Sequence, residues 1–178
     1  MLLLEYRAHG GVFLRALTRL ALGLSLSGCI QPLYGSLAAG GGDVAGELQQ
    51  IKVDPIPGRT GHYLGDELIF ALNGTGAQVP PKYHLAVILF ETVQTPLLDT
   101  VTGYPTAANI IVNAEYKLLA PGSETPVTAG KVTALEGYDR TSQRFANLRA
   151  ARDAEIRSAK TLADQIRIRL AAALAAKG

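Results

Sequence analysis

Cysteine is nearly absent from this chain, which contains one, Cys29, among its 178 residues. One thiol excludes a disulfide within the chain and any zinc site that needs several cysteines. The formal net charge is only +2. The chain therefore lacks the basic excess of a nucleic-acid-binding domain, and we expect no nucleic-acid partner. The apolar run Leu20 to Leu26 is far shorter than the ~20 residues that a membrane crossing requires.

The residues around the cysteine follow a recognisable order. Three arginines precede the apolar run, and Leu26-Ser27-Gly28-Cys29 follows it. A basic flank, a short apolar segment and a small residue before cysteine are typical of a lipoprotein signal peptide, in which the thiol carries a diacylglyceryl group. We expect residues 1–28 to be removed and Cys29 to be lipidated, with acyl chains such as palmitate holding the protein on a bilayer.

Cys29 has an alternative interpretation, a buried structural thiol, which is how a lone cysteine usually behaves in a globular domain. The residue after the cysteine is Ile30. An aspartate at this position commonly marks retention in the inner membrane, so Ile30 favours the outer membrane. The sequence therefore predicts a lipid-anchored protein on the periplasmic face of the outer membrane.

Domain organisation follows from composition. Residues 29–46 are rich in small residues and include Gly40-Gly41-Gly42, which is typical of a flexible tether. Residues 47–178 have the length of a single domain.

Hydrophobic periodicity predicts the elements of that domain. Polar and apolar residues alternate from Gln49 to Asp54, which indicates a short strand that ends before Pro55. Apolar residues recur every four positions between Thr60 and Leu72, which indicates a helix with Thr60 as its N-cap and Asn73-Gly74 after its end. Three further extended runs and one long helix follow: strands over Lys82 to Val93, Ala108 to Leu119 and Val127 to Tyr138, and a helix over Ser142 to Ala176.

These elements predict an α+β fold of the order βαβββα. Turn signals between the last three strands favour an antiparallel meander, and the first strand is expected to join it as a parallel neighbour. We expect a two-layer sandwich, in which two helices cover one face of a four-stranded, mostly antiparallel sheet. The last helix is expected to turn one apolar face to the sheet: Phe145, Leu148, Ile156, Ala159, Leu162 or Ala163, Ile166, Leu170 and Leu174.

Few residues suggest catalytic chemistry. His62 and Asp66 lie four residues apart on the first predicted helix, but a solvated helix face is the simpler interpretation. His84 lies among alternating apolar residues, as a sheet histidine often does. No cluster of cysteine and histidine is available for a metal, so we predict no catalytic residue, no metal, no cofactor and no enzyme activity.

Arginine is concentrated in the last quarter of the chain. Four arginines lie where the last strand passes into the last helix: Arg140, Arg144, Arg149 and Arg152. Guanidinium groups suit phosphates because they can donate two parallel hydrogen bonds. The alternative is a solvated helix face with intrahelical pairs, such as Arg149 with Asp153 and Arg152 with Glu155.

Several motifs resemble the LPS-assembly lipoprotein (LptE) family of alphaproteobacterial type. The segment Gly28-Cys29-Ile30-Gln31-Pro32-Leu33-Tyr34-Gly35 is similar to that family's opening motif around the lipidated cysteine. Four C-terminal segments are similar to its pattern in order and spacing: Tyr138-Asp139, Phe145-Ala146-Asn147, Ala151-Arg152-Asp153-Ala154, and Leu162 to Leu170. The resemblance covers essentially the whole mature chain.

This resemblance implies a non-enzymatic partner of an outer-membrane β-barrel. It would plug the LPS-translocon barrel LptD, help it assemble, and assist the transport of lipopolysaccharide and its insertion into the outer leaflet. The four arginines would then be candidates for binding the phosphates of lipopolysaccharide. The alternative is a lipid-anchored periplasmic binding module or a regulator of another envelope complex.

Overall fold

The computed structural model describes residues 44–74, 79–98, 100–101, 103 and 105–177. The predicted signal peptide, Cys29 and the tether up to residue 43 lie outside these ranges and remain predictions from the sequence. Within the ranges, the helices lack the combination of length and apolarity that a membrane crossing needs.

Helices and strands follow one another in the order αβαβββα. Their bounds are α1 Val44–Gln49, β1 Ile51–Val53, α2 Arg59–Asn73, β2 Tyr83–Leu98, β3 Pro105–Leu119, β4 Pro126–Asp139 and α3 Arg144–Ala175. The predicted α+β class and the order βαβββα are confirmed from β1 onward. The first strand is shorter than the predicted Gln49 to Asp54, because Gln49 is the last residue of α1, a single short helix anchored by the buried Leu48.

The four strands form one sheet in the order β1-β2-β3-β4. Strand β1 is parallel to β2, with Lys52 opposite His84. Strands β2, β3 and β4 are antiparallel neighbours. The predicted meander and its parallel fourth strand are both confirmed. Strand β2 continues through Pro96 to Leu98 by way of a register shift after Gln94, whereas the sequence predicts its end near Val93.

The core lies on one face of this sheet. Alternate residues of β2, β3 and β4 are buried there, as period-two patterning requires. Helix α2 packs on β1 and on α3, and α3 packs on β3 and β4. The two long helices therefore cover one face and leave the other face exposed, as predicted.

Tyr116 of β3 packs across the sheet onto Gly130 of β4. The two residues are register partners, and Tyr116 is buried. A Cβ atom built on Gly130 would lie 2.8 Å from the Tyr116 hydroxyl oxygen, closer than atoms in van der Waals contact. Gly130 is therefore a close-approach position that keeps space for the tyrosine ring.

Helix α2 has the predicted apolar stripe but a different start. Leu64, Leu68 and Leu72 are buried, and Gly74 ends the helix with a positive φ of 24° while its N–H donates to the Phe70 carbonyl. Thr60 was expected to cap the helix, and this prediction is wrong. Gly58 is the N-cap, and the Thr60 hydroxyl donates to the Glu91 carboxylate at 2.7 Å.

Helix α3 confirms the long helix and corrects part of its buried face. Ala159, Leu162, Ile166, Leu170 and Leu174 are buried as predicted. Three predicted members are instead exposed: Phe145 (82%), Leu148 (58%) and Ile156 (40%). No residue from Arg144 to Asp153 is buried, so Phe145 and Leu148 lie on a part of α3 that its neighbours leave open. Ile156 lies between Glu155 and Arg157, which contact α2 and β4, and is exposed on the outer side of the helix. Spacing alone could not identify either environment.

Side chains of α3 cover the outer edge of β4. Arg157 Nη2 donates to the Gly137 carbonyl (3.0 Å), Gln165 Nε2 to Thr133 (3.3 Å) and Arg169 Nη1 to Lys131 (2.8 Å). These carbonyls alternate along β4 and point away from β3. The helix thereby occupies acceptors that would otherwise be open to another strand.

Candidate functional site

The candidate arginines lie at a turn that is held by one asparagine. The backbone N–H of Arg140 donates to the Thr106 carbonyl at 2.9 Å, which extends the β3–β4 ladder by one residue. Asn147 of α3 then folds back on the turn, accepting from the Thr141 N–H and donating to the Thr141 carbonyl, both at 2.8 Å. These bonds fix the direction in which α3 leaves the sheet and so position the arginines.

The four arginines have no acidic partner among the described residues. Asp153 pairs with Arg157 instead of Arg149. Glu155 pairs with Arg59 of α2 instead of Arg152. The intrahelical pairs considered from the sequence are therefore wrong, because both carboxylates bind other cations. Arg144, Arg149 and Arg152 are exposed and Arg140 is half-buried, so their guanidinium groups are accessible to an anion.

Three of these arginines share a helix face with exposed apolar side chains. At 100° per residue, six residues fall within less than half of the helix circumference. We call them the amphipathic face: Arg144, Phe145, Leu148, Arg149, Arg152 and Ile156. Exposed large apolar groups among unpaired cations are typical of a surface that binds an anionic amphiphile or a lipid interface.

The β2–β3 hairpin emerges at the same end of the sheet. Ala107 of β3 lies opposite both Asp139 of β4 and Leu97 of β2, so the turn into α3 and the hairpin tip share that end. Leu98 and Val101 of the hairpin are exposed. This end of the domain therefore carries apolar side chains on two elements.

The titratable groups elsewhere have ordinary structural roles. His62 Nε2 lies 3.4 Å from Asp66 Oδ2 on an exposed face of α2, which matches the solvated interpretation. His84 Nδ1 lies 3.3 Å from Asp54 Oδ1 at the edge of the sheet. Hydrogen bonding and ion pairing with Glu155 raise the pKa of Arg59. The described ranges contain no group of three potential metal ligands.

Sequence reasoning located the arginines but missed what surrounds them. The role of Asn147 could have been predicted from the sequence, since an asparagine in the first turn of a helix often forms hydrogen bonds with nearby backbone. The exposure of Phe145 and Leu148 could not, because it depends on how far the sheet extends beneath α3.

Comparisons with known proteins identify similar folds. No protein-family model and no curated protein matches the chain. Among solved structures, a candidate lipoprotein from Caulobacter crescentus CB15 is 25% identical with a TM-score of 0.60, over 76% of this chain and 97% of that one. A minor lipoprotein from Acinetobacter baumannii is 17% identical with a TM-score of 0.51, over 68% and 90%.

A third structure, rare lipoprotein B from Shewanella oneidensis, is 16% identical with a TM-score of 0.41, over 71% of this chain and 94% of that one. The first two similarities show the fold. The chain thus has the fold of these two bacterial lipoproteins. The 25% identical one supports the lipoprotein that the Cys29 motif predicts.

Proposed function

We propose that this protein is an outer-membrane lipoprotein that plugs the LPS-translocon β-barrel LptD, helps it assemble, and assists lipopolysaccharide insertion into the outer leaflet. The amphipathic face carries this proposal, because it offers unpaired cations and exposed apolar side chains on one rigid helix. The motifs around Cys29 and along α3 that resemble the LptE family agree with it.

The chemistry of the face matches that of lipopolysaccharide. Lipid A combines phosphates with acyl chains, and each guanidinium can donate two hydrogen bonds to a phosphate. Phe145 and Leu148 provide apolar contact beside Arg144 and Arg149. The missing acidic partners matter here, since a carboxylate on these arginines would compete with the phosphate.

The partner is tested by recovery of the native complex. The acylated protein is purified in mild detergent from its own envelopes, and the main co-purifying protein is identified by mass. We expect LptD in about equal amount. Recovery of a different envelope complex, with no barrel, would refute the plug and favour the binding module or regulator considered above.

A Cys29→Ala chain tests the lipid anchor, because it should lose acylation and leave the membrane fraction.

The ligand is tested by titration of the mature protein with lipopolysaccharide and with the same material after dephosphorylation. Arg149→Gln with Arg152→Gln should weaken binding about tenfold or more, since a charge-assisted hydrogen bond contributes about 1.5 kcal/mol. Lys117→Gln with Lys160→Gln removes the same charge from exposed positions outside the amphipathic face and serves as the matched control. Equal affinity of both double variants would refute this role of the arginines.

A further inference from the structure

The sheet has two edges that differ in protection. Along β4, the carbonyls of Lys131, Thr133 and Gly137 accept hydrogen bonds from α3 side chains. On the other side, β1 contains three residues and pairs only with Tyr83 to Leu85. From that point on, β2 is itself the edge of the sheet over most of its length.

The hydrogen bonds to β1 define which residues of β2 face outward. The Tyr83 N–H donates to the Gln50 carbonyl at 3.2 Å, and the Leu85 carbonyl accepts from the Asp54 N–H at 3.0 Å. Odd-numbered residues of β2 therefore direct their backbone groups away from β3. The antiparallel register continues unbroken from His84 to Gln94, so this alternation holds over that stretch.

Beyond the buried Val87, three residues present these groups to solvent. They are Leu89, Glu91 and Val93, and their three N–H donors and three carbonyl acceptors bond to nothing in the described part of the chain. Leu89 is half-buried, and residues 90–94 are exposed. The register shift after Gln94 and the missing N–H of Pro96 limit the regular edge to this stretch.

We propose that this free edge of β2 binds an extended segment of a partner protein by strand addition. Main-chain pairing with Leu89, Glu91 and Val93 accommodates a strand of about five to seven residues. Ile88 and Phe90 lie on the open face of the sheet, 59% and 55% exposed. Apolar residues at alternate positions of the added strand would pack beside them.

Charge favours a basic strand. Glu91 accepts from Thr60 and lies on the face that α2 covers. Arg59 is close enough to feel the charge of Glu91, but its guanidinium is bound to Glu155, so the Glu91 carboxylate has no ion-pair partner among the described residues. A lysine or arginine beside Glu91 would neutralise it, which specifies the partner segment as basic at one position and apolar at alternate positions.

The test uses a synthetic probe, so its result does not depend on whether the protein plugs a barrel. The probe is the capped peptide Val-Thr-Val-Lys-Val-Thr-Val, which places the lysine on the face of Glu91 and the valines on the open face beside Ile88 and Phe90. Amide hydrogen exchange of the mature chain is measured with and without it. At saturation, exchange at Leu89, Glu91 and Val93 should slow at least tenfold, while the amides of β4 keep their rates. A peptide with every amide N-methylated should have no effect.

The charge requirement is tested with a second peptide that carries glutamate in place of lysine. The lysine peptide should bind the natural chain about tenfold more tightly, and Glu91→Lys should reverse this preference. If Glu91→Lys fails to fold, the two peptides compared on the natural chain still decide the point. The proposal is overturned if the lysine peptide slows no amide of β2. Protection that grows with protein concentration without peptide would also overturn it, because a second copy would then occupy the edge.

Discussion

Arg59 at the start of α2 and Glu155 of α3 form a two-contact ion pair that joins the helices. Arg59 Nε donates to Glu155 Oε2 at 2.7 Å, and Arg59 Nη2 contacts Oε1. The Glu155 side chain is 4% exposed, whereas the Arg59 side chain is 59% exposed. A buried carboxylate therefore depends on a guanidinium that reaches it from the surface.

Arg59→Leu should destabilise the fold more than Glu155→Gln. Removing the arginine leaves a buried charge without a partner, at a cost of about 2 kcal/mol; fully buried pairs cost about 3–5 kcal/mol, and water reaches Arg59. Urea denaturation measures the difference. The double variant Arg59→Leu with Glu155→Leu should lose less stability than Arg59→Leu alone. An Arg59→Leu chain as stable as the natural one would contradict this account of the pair.

Gly130→Ala should lower stability by about 1–3 kcal/mol, because the new methyl group overlaps the Tyr116 ring. Thermal unfolding detects the change, and Tyr116→Leu in the same chain should remove most of the added penalty. Gly65→Ala is the matched control, since a Cβ there meets no atom within 4 Å. In helix α2 that change should stabilise by about 0.5–1 kcal/mol. A similar loss at both glycines would refute the steric explanation.

Removing the side chains that cover β4 should promote association through that strand. The triple variant Arg157→Ala, Gln165→Ala and Arg169→Ala frees three carbonyls along the edge. We expect a shorter lag in thioflavin T fluorescence at equal concentration. Lys160→Ala with Asp164→Ala alters exposed positions of the same helix and should leave the lag unchanged. Unchanged kinetics in the triple variant would show that the edge is protected by other means.

Alkaline pH should loosen α1. Lys82 Nζ lies 2.8 Å from Glu47 Oε1, and hydrogen bonding to Glu47 and then to Tyr83 raises the pKa of Lys82 above its usual 10.5. A raised folded-state pKa gives stabilisation that is complete below about pH 10 and is lost as the pH rises through the raised value. The protection factors of the amides of residues 44–49, in which the intrinsic rise of exchange with pH is divided out, should therefore fall above pH 10.5. In Lys82→Met, that fall should be absent, and its persistence would assign the effect to other groups.

The longer helices and strands of this fold could be predicted because each has an uninterrupted hydrophobic period. Leu64, Leu68 and Leu72 repeat at helical spacing, and the three long strands alternate between turn signals. Helix α1 could not be predicted, since six residues with one buried leucine give too short a pattern and are held by packing. Pro96 suggested the end of β2, yet a register shift at the sheet edge accommodates it.

The candidate site was predictable in composition and unpredictable in its contacts. Arg149 and Arg152 stand beside acidic residues in the sequence, which favours intrahelical pairs. Glu155 instead forms an ion pair with Arg59, which lies 96 positions earlier in the chain. A contact at that separation leaves no local signal, and it changes which cations remain accessible.

The placement of α3 also sets the order in which the molecule can be completed. Strand β4 ends at Asp139 and is synthesised before Arg157, Gln165 and Arg169, the residues that cover it. During synthesis and export, an otherwise finished meander has an uncovered margin until those turns of α3 are available. The nascent chain is thus most prone to pairing with a neighbour between the completion of β4 and the arrival of Arg169, and a chain truncated before Arg157 would keep that hazard.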